Sequence, residues 1–162
     1  VIGVEGKMLT ESMEDYLEMF YRIYMKQGYV RPIDLSDAIR VQPSSVTRMI
    51  QKLNEAGYIT YEKYRNISLT PLGVEYGKFL VWRDQTLKEF LCLLGDNKSV
   101  SEQVEGIEHY LIPQTMYVFK NLLTFFKTHP QQLQEFLLLG SQNCQGGKEL
   151  SLLRAWLFRH AE

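Results

Sequence analysis

The chain has 162 residues, with 18 Lys and Arg against 19 Asp and Glu, a formal net charge of −1 and 45% apolar residues. That is enough for one compact domain or two small ones sharing a core, and the near-neutral total excludes wholesale attraction to nucleic acid or membranes but not a local basic patch. Cys92 and Cys144 are the only cysteines and form no CxxC pair, which fits a reducing compartment and not a zinc knuckle or disulfide framework.

No apolar run approaches the roughly 20 residues of a membrane span. The start Val1-Ile2-Gly3-Val4-Glu5-Gly6-Lys7 has no signal-peptide pattern, so the expected compartment is the cytoplasm, with no membrane partner. A first helix opens at Thr10-Glu11-Ser12, with Ser12 as the expected N-cap and Glu14, Asp15 and Glu18 in the turns where the helix dipole favours anions. Met13, Tyr16, Leu17, Phe20, Tyr21 and Tyr24 repeat at helical spacing, and Gly28 marks the stop. Asp15 and Glu18 project together at i, i+3; by themselves they read as solvated first-turn acids.

Pro32 to Ile39 reads as a short helix, Arg40-Val41-Gln42-Pro43 as a turn, and a third helix follows, capped by Ser44 or Ser45 and stopped at Gly57. Two short helices joined by a tight turn have the form of a helix-turn-helix, whose second helix enters the major groove. Val46, Met49, Ile50 and Leu53 supply its buried stripe, leaving Ser44, Ser45, Thr47, Arg48, Gln51 and Lys52 outward, a set suited to base edges and phosphates. Tyr58 to Leu69 alternates and is rich in aromatic and β-branched residues, as a hairpin with its tip near Lys63 to Asn66 would be. The order helix, turn, helix, hairpin predicts a winged helix. Between Arg40 and Arg65 five basic residues face Glu55 and Glu62, a local excess of +3. Within this patch Lys52, Lys63 and Arg65 are expected on phosphates, and Pro43, Ser44, Ser45, Thr47 and Arg48 on base edges and the adjoining backbone of double-stranded DNA.

Thr70-Pro71 begins a long apolar helix that ends at Gly95-Asp96-Asn97. So much apolar surface in a small protein calls for a partner, and Trp82 and Phe90 are the expected anchors of a homodimer core; Cys92 is expected in the core. The next helix, Glu102 to Leu111 with Ser99 or Ser101 as its cap, carries Glu105-Gly106-Ile107-Glu108-His109. At i, i+3 and i+4 its two carboxylates and one imidazole would leave a single helical face as part of a metal site. Pro113 starts a further helix to about His129, followed by Leu133 to Leu139 and, after a Gly-rich break, Glu149 to Arg159. His129 and His160 have no companion at ligand spacing and read as surface residues.

Ser12-Met13-Glu14-Asp15-Tyr16, Pro43-Ser44-Ser45-Val46-Thr47, Tyr61-Glu62-Lys63-Tyr64-Arg65 and Val104-Glu105-Gly106-Ile107-Glu108-His109 together resemble the diphtheria-toxin-repressor family, and within it the manganese transport regulator branch. The resemblance runs from about Met8 to Phe126. It implies a mainly α protein: a winged helix-turn-helix over 8–72, then an all-helical metal-binding and dimerisation domain over 73–162. It also implies a homodimeric repressor, not an enzyme, activated by Mn²⁺ or Fe²⁺. Carried over by position, the ligands of a pair of ions would be Asp15, Glu18, Glu105, Glu108 and His109. Where the manganese branch has a histidine on the long helix, this chain has Asp84, an oxygen donor that makes the site harder. Two other readings compete. One is a winged-helix regulator sensing a non-metal small molecule. The other is a metallohydrolase, since Glu105-x-x-Glu108-His109 approaches a zinc-protease pattern but has a carboxylate in place of its first histidine.

Overall fold

The computed structural model describes residues 9–61, 67–95 and 99–143, with side chains to 139. Its contacts divide into two units: residues 1–85 with Glu105–Tyr110, and Thr86–Val104 with 111–162. Among the described residues no helix is long and apolar enough to cross a membrane.

In the first unit, α1 (Glu11–Gln27) is capped by Thr10, whose hydroxyl accepts from the Met13 amide at 3.4 Å, and not by Ser12, which lies inside the first turn. Thr10 has the extended backbone that a capping side chain needs. The helix stops at Gly28, left-handed at φ 80°, whose amide donates to the Tyr24 carbonyl. α2 (Pro32–Ile39) starts where the Asp34 carboxylate accepts from the Arg31 amide and pairs with its guanidinium at 2.6 Å. The turn to α3 (Pro43–Glu55) passes through Arg40 in the left-handed region and is closed by Ser36 Oγ donating to the Val41 carbonyl at 2.7 Å. α3 starts one residue before Ser44: Gln42 stands at the N-cap and Pro43 fills the first helical position, where a missing N–H costs nothing, so neither serine is the cap.

Strands β1 (Ile59–Thr60) and β2 (Ser68–Leu69) pair antiparallel, Ile59 opposite Leu69, and an isolated bridge joins Val30 to Ile67. The wing tip, with Lys63 and Arg65, lies outside the described residues. A hairpin this short depends on its neighbours. Asn54 of α3 accepts from the Tyr61 amide at 2.8 Å, and Thr70 Oγ1 donates to the Gly57 carbonyl at 2.7 Å. Leu17 and Phe20 of α1, Leu35 of α2, Val46, Ile50 and Leu53 of α3, Ile59 of β1 and Leu80 of the following helix form one core.

That helix, α4 (Pro71–Leu93), begins against the hairpin, and Gly73 permits the approach. A Cβ there would run into the Tyr58 carbonyl oxygen and come within 2.9 Å of its carbon. Backbone cannot swing aside as a side-chain end can, so Gly73→Ala is expected to destabilise the winged helix by about 1–3 kcal/mol. Thermal unfolding checks this, and an unchanged midpoint would show that the hairpin is free to move off α4.

In the second unit α5 (Val100–Ile107) begins and α6 (Pro113–Thr128) and α7 (Pro130–Asn143) lie. Leu87, Val104, Met116 and Leu123 are buried, Phe90 meets Phe119 edge-on at 5.0 Å, and Phe126 meets Phe136 at 5.3 Å. Cys92 is exposed, contrary to the core position expected: on this stretch Leu87 takes the buried side and Leu91 and Leu94 are half-buried. His129 is exposed and stacks on Phe125 at 4.4 Å; His160 and the expected helix from Glu149 to Arg159 lie outside the described residues. α7 continues through Gly140 to Asn143, past the expected stop.

Candidate metal centre and reading helix

The Glu105 to His109 stretch is not one helical face. α5 ends at Ile107, and Glu108–Tyr110 tightens into a 3-10 turn. Pro113 lies close behind and disfavours helical backbone at the residue before it. The change of pitch separates the three side chains: Glu105 is exposed, whereas Glu108 is buried at 5% exposure and His109 is half-buried.

Asp15, Glu108 and His109 each bring a ligand atom to within 4.8 Å of the others. His109 Nε2 lies 3.1 Å from Asp15 Oδ1, and its Nδ1 lies 2.8 Å from Glu14 Oε2. Arg83 Nη2 also lies 3.3 Å from Nδ1. In the tautomer that carries its proton on Nδ1, toward Glu14, Nε2 would turn a lone pair toward the Asp15 oxygen, and two acceptors in that position need a proton or a cation between them. Their separation is that of neighbouring ligands on an octahedral ion with bonds of about 2.1 Å. Glu108 Oε2 is buried without a hydrogen-bond partner, 3.6 Å from Arg83 Nε. An orphaned buried carboxylate oxygen beside an imidazole and a second carboxylate is a donor set that fits a divalent ion.

Electrostatics agree with this geometry. Burial pushes the Glu108 carboxyl up to about 7, helped by the charges of Glu18 and Asp84 and only partly opposed by Arg83. Asp15 is also raised, by burial first and then by Glu105 and Glu14, against the attraction of His109. Glu105 therefore acts on the site by its charge although it lies outside the close cluster. Glu14 behaves in the opposite way: burial disfavours its charge, but Tyr76, His109 and Arg83 outweigh burial and hold it below the usual carboxylate range. Tyr76 donates to Glu14 Oε1 at 2.7 Å, and Arg83 donates to Oε2 at 2.9 Å. Burial and this anionic neighbour push the Tyr76 phenol up, so it remains a donor.

Glu18 and Asp84 are arranged differently. Both are ion-paired with Arg22, at 2.7 and 2.6 Å, and Asp84 is buried. Glu14, Arg22, Tyr76 and Arg83 make the contacts that surround these acids, and sequence reasoning gave them no place in the site. Arg83 is one of several charged residues on its helix and Glu14 one of several first-turn acids, so neither had a distinguishing signal in the sequence.

On α3, Pro43, Ser44, Ser45, Thr47, Arg48 and Lys52 are all exposed. Thr47 Oγ1 donates back to the Pro43 carbonyl at 3.0 Å, and among the described residues no acid pairs with Arg48 or Lys52. Trp82 is half-buried with its ring 5.9 Å from Phe79, and half-buried Phe90 spends one edge on Phe119 of the same chain.

A winged helix that shares its compact unit with a carboxylate–imidazole cluster has the parts of a metal-responsive transcriptional regulator. Residues 8–67 match the iron-dependent repressor N-terminal DNA-binding domain, and residues 70–137 match the iron-dependent repressor metal-binding and dimerisation domain. The chain belongs to the iron-dependent repressor family and is a metal-responsive repressor. The HTH-type transcriptional regulator MntR of Bacillus pumilus is 40% identical over 143 residues, covering 88% of this chain and 99% of that one. The protein of the same name from Listeria welshimeri is 44% identical over 128 residues, covering 78% and 90%. Among solved structures, the metal-dependent transcriptional regulator MtsR superposes with a TM-score of 0.64 at 24% identity, and T. acidophilum IdeR with 0.58 at 23%. These two share the fold, and the chain spans 55% of the length of each.

Proposed function

We propose that the protein is a repressor activated by Mn²⁺ or Fe²⁺ that binds a palindromic double-stranded operator as a homodimer in the cytoplasm, and that it is not an enzyme. The observation that carries this reading is the position of Asp15: it stands on α1, whose opposite face, through Leu17 and Phe20, packs into the same core as Val46 and Ile50 of the reading helix α3. Asp15, Glu108 and His109 would hold the ion, with Glu105 adding charge at the margin. When bound, the ion supplies the positive charge that lets these donors converge. Glu14 fixes the ring of His109 through Nδ1, and Arg83 fixes Glu14. Tying α1 to the Glu108 turn stabilises only arrangements in which the two are close, which is the differential affinity that a switch requires. A second ion would have to draw on Glu18 and Asp84, both of which Arg22 already engages.

In a homodimer the two reading helices would meet successive half-sites one helical turn apart. Trp82 and Phe90 serve as interface anchors in this reading, joined by the exposed Tyr117, Leu122 and Phe125 of α6. Lys52, Lys63 and Arg65 contact phosphates, and Pro43, Ser44, Ser45, Thr47 and Arg48 meet bases and the nearby backbone. Arg48→Ala is expected to cost about 1–3 kcal/mol and to relax specificity at one base pair, whereas Lys52→Ala weakens all sequences alike and lowers the salt slope by about 0.9. Anisotropy titrations of operator DNA at several salt concentrations separate the two. The same assay with Mn²⁺, Fe²⁺, Co²⁺, Zn²⁺ and a chelator tests the proposal as a whole: operator binding indifferent to both metal and chelator would overturn it.

A further inference from the structure

We propose that Arg22 is a built-in cation standing in for a second metal ion, so that each chain takes up one divalent ion, on Asp15, Glu108 and His109. The inference rests on the metal reading above. Arg22 lies one helical turn after Glu18, and its Nη2 and Nε reach the same Glu18 oxygen at 2.7 and 2.8 Å. Nη2 also reaches Asp84 Oδ2 on α4 at 2.6 Å. One guanidinium thus joins two carboxylates from different helices.

These carboxylates are well shielded, with side-chain exposures of 16% for Glu18 and 9% for Asp84, so the pairs are only weakly screened by solvent. A guanidinium cannot discard its charge by losing a proton. A divalent ion taking Glu18 and Asp84 together would therefore have to expel Arg22 from both or sit against a fixed positive charge. At the cluster of Asp15, Glu108 and His109 the guanidinium is held less closely: Arg83 donates to Glu14 at 2.9 Å and approaches Glu108 Oε2 only to 3.6 Å, a longer pair than either that Arg22 makes, and that oxygen keeps no hydrogen bond. Arg22 and Asp84 are also matched in kind. An imidazole at position 84 would offer the guanidinium no negative charge, whereas a carboxylate there gives it a partner across the two helices.

The test is the manganese content of the full-length protein, measured by elemental analysis after equilibration with Mn²⁺ and removal of free ion, with electron paramagnetic resonance of the same samples. The expected result is one ion per chain in the wild type and in Arg22→Lys, which keeps the charge, and two in Arg22→Gln, which removes it while retaining amide donors. The wild type and Arg22→Lys would show the resolved hyperfine pattern of isolated Mn²⁺, and Arg22→Gln the broadened spectrum of a coupled pair. Two ions in the wild type, or one in a folded Arg22→Gln protein, would overturn the role given to Arg22. No uptake at all would remove the metal reading itself and this inference with it. Circular dichroism establishes whether Arg22→Gln is folded; if it is not, the wild-type count and spectrum decide.

Discussion

Glu108→Gln is expected to abolish metal-dependent operator binding while making the metal-free protein more resistant to heat above neutral pH. The first effect follows from the loss of a direct donor. Residues that only orient a ligand are worth about 10–100-fold in affinity, so removing the buried carboxylate should cost more than about 100-fold. The second effect follows from burial, which raises the Glu108 carboxyl to about 7 from an ordinary 4.5. Between those values the folded protein holds a proton that the unfolded chain has released. The stabilisation is therefore fully present below the unfolded value and is lost as pH rises through the folded one, on the order of 3 kcal/mol across the window. Glutamine is neutral throughout and escapes this loss. Melting curves of the metal-free proteins should diverge toward pH 8, with the variant higher by roughly 5 °C or more, and converge near pH 5. Melting points that remain equal over this range would mean that Glu108 is solvated, and Mn²⁺-dependent binding by the variant would remove it from the site.

Glu14→Gln should weaken Mn²⁺ binding about 10–100-fold although Glu14 is assigned no bond to the ion. Its Oε2 accepts from Arg83 and lies against His109 Nδ1, so it sets which ring nitrogen faces Asp15. Glutamine keeps an acceptor but not the charge that opposes Arg83. Glu14→Ala removes both and leaves the nearly fully buried Arg83 without this partner, at a cost of about 3–5 kcal/mol. Isothermal titration with Mn²⁺ measures the first effect and thermal unfolding the second. Glu18→Gln is the control: with Glu18 held by Arg22, its loss should reduce Mn²⁺ affinity less than that of Glu14.

Local order in the chain announced much of this architecture. Gly28 and Gly57 adopt the left-handed backbone expected of helix stops, and Pro32–Ile39 is a helix with the bounds its pattern suggested. The outward residues of α3 are exposed as their spacing required. Of the candidate metal cluster, the members Asp15, Glu108 and His109 were legible in the family resemblance, but their geometry was not. Glu105, Glu108 and His109 carry the spacing of one α-helical face, but Glu108–Tyr110 tightens into a 3-10 turn and reorients them, an adjustment that periodicity does not encode. Arg22 stands at i, i+4 from Glu18, but its second partner, Asp84, is 62 residues away and has no local signature. Caps were misplaced for a related reason. Ser12, Ser44 and Ser45 have the right chemistry, but Thr10 and Gln42 hold the extended backbone that a cap position demands.

The Glu108 and His109 turn belongs to the same unit as the first 85 residues, although the chain leaves that unit and returns to reach it. Asp15 and Glu108 are thus separated by roughly ninety residues of chain, and a tie between them closes a loop comparable to that of a long-range disulfide, whose formation removes on the order of 4 kcal/mol of conformational freedom from the unfolded ensemble. A disulfide is made once. A tie through a shared cation is a cross-link that a chelator reverses, so free metal would set the mechanical integrity of the DNA-reading unit as well as its geometry.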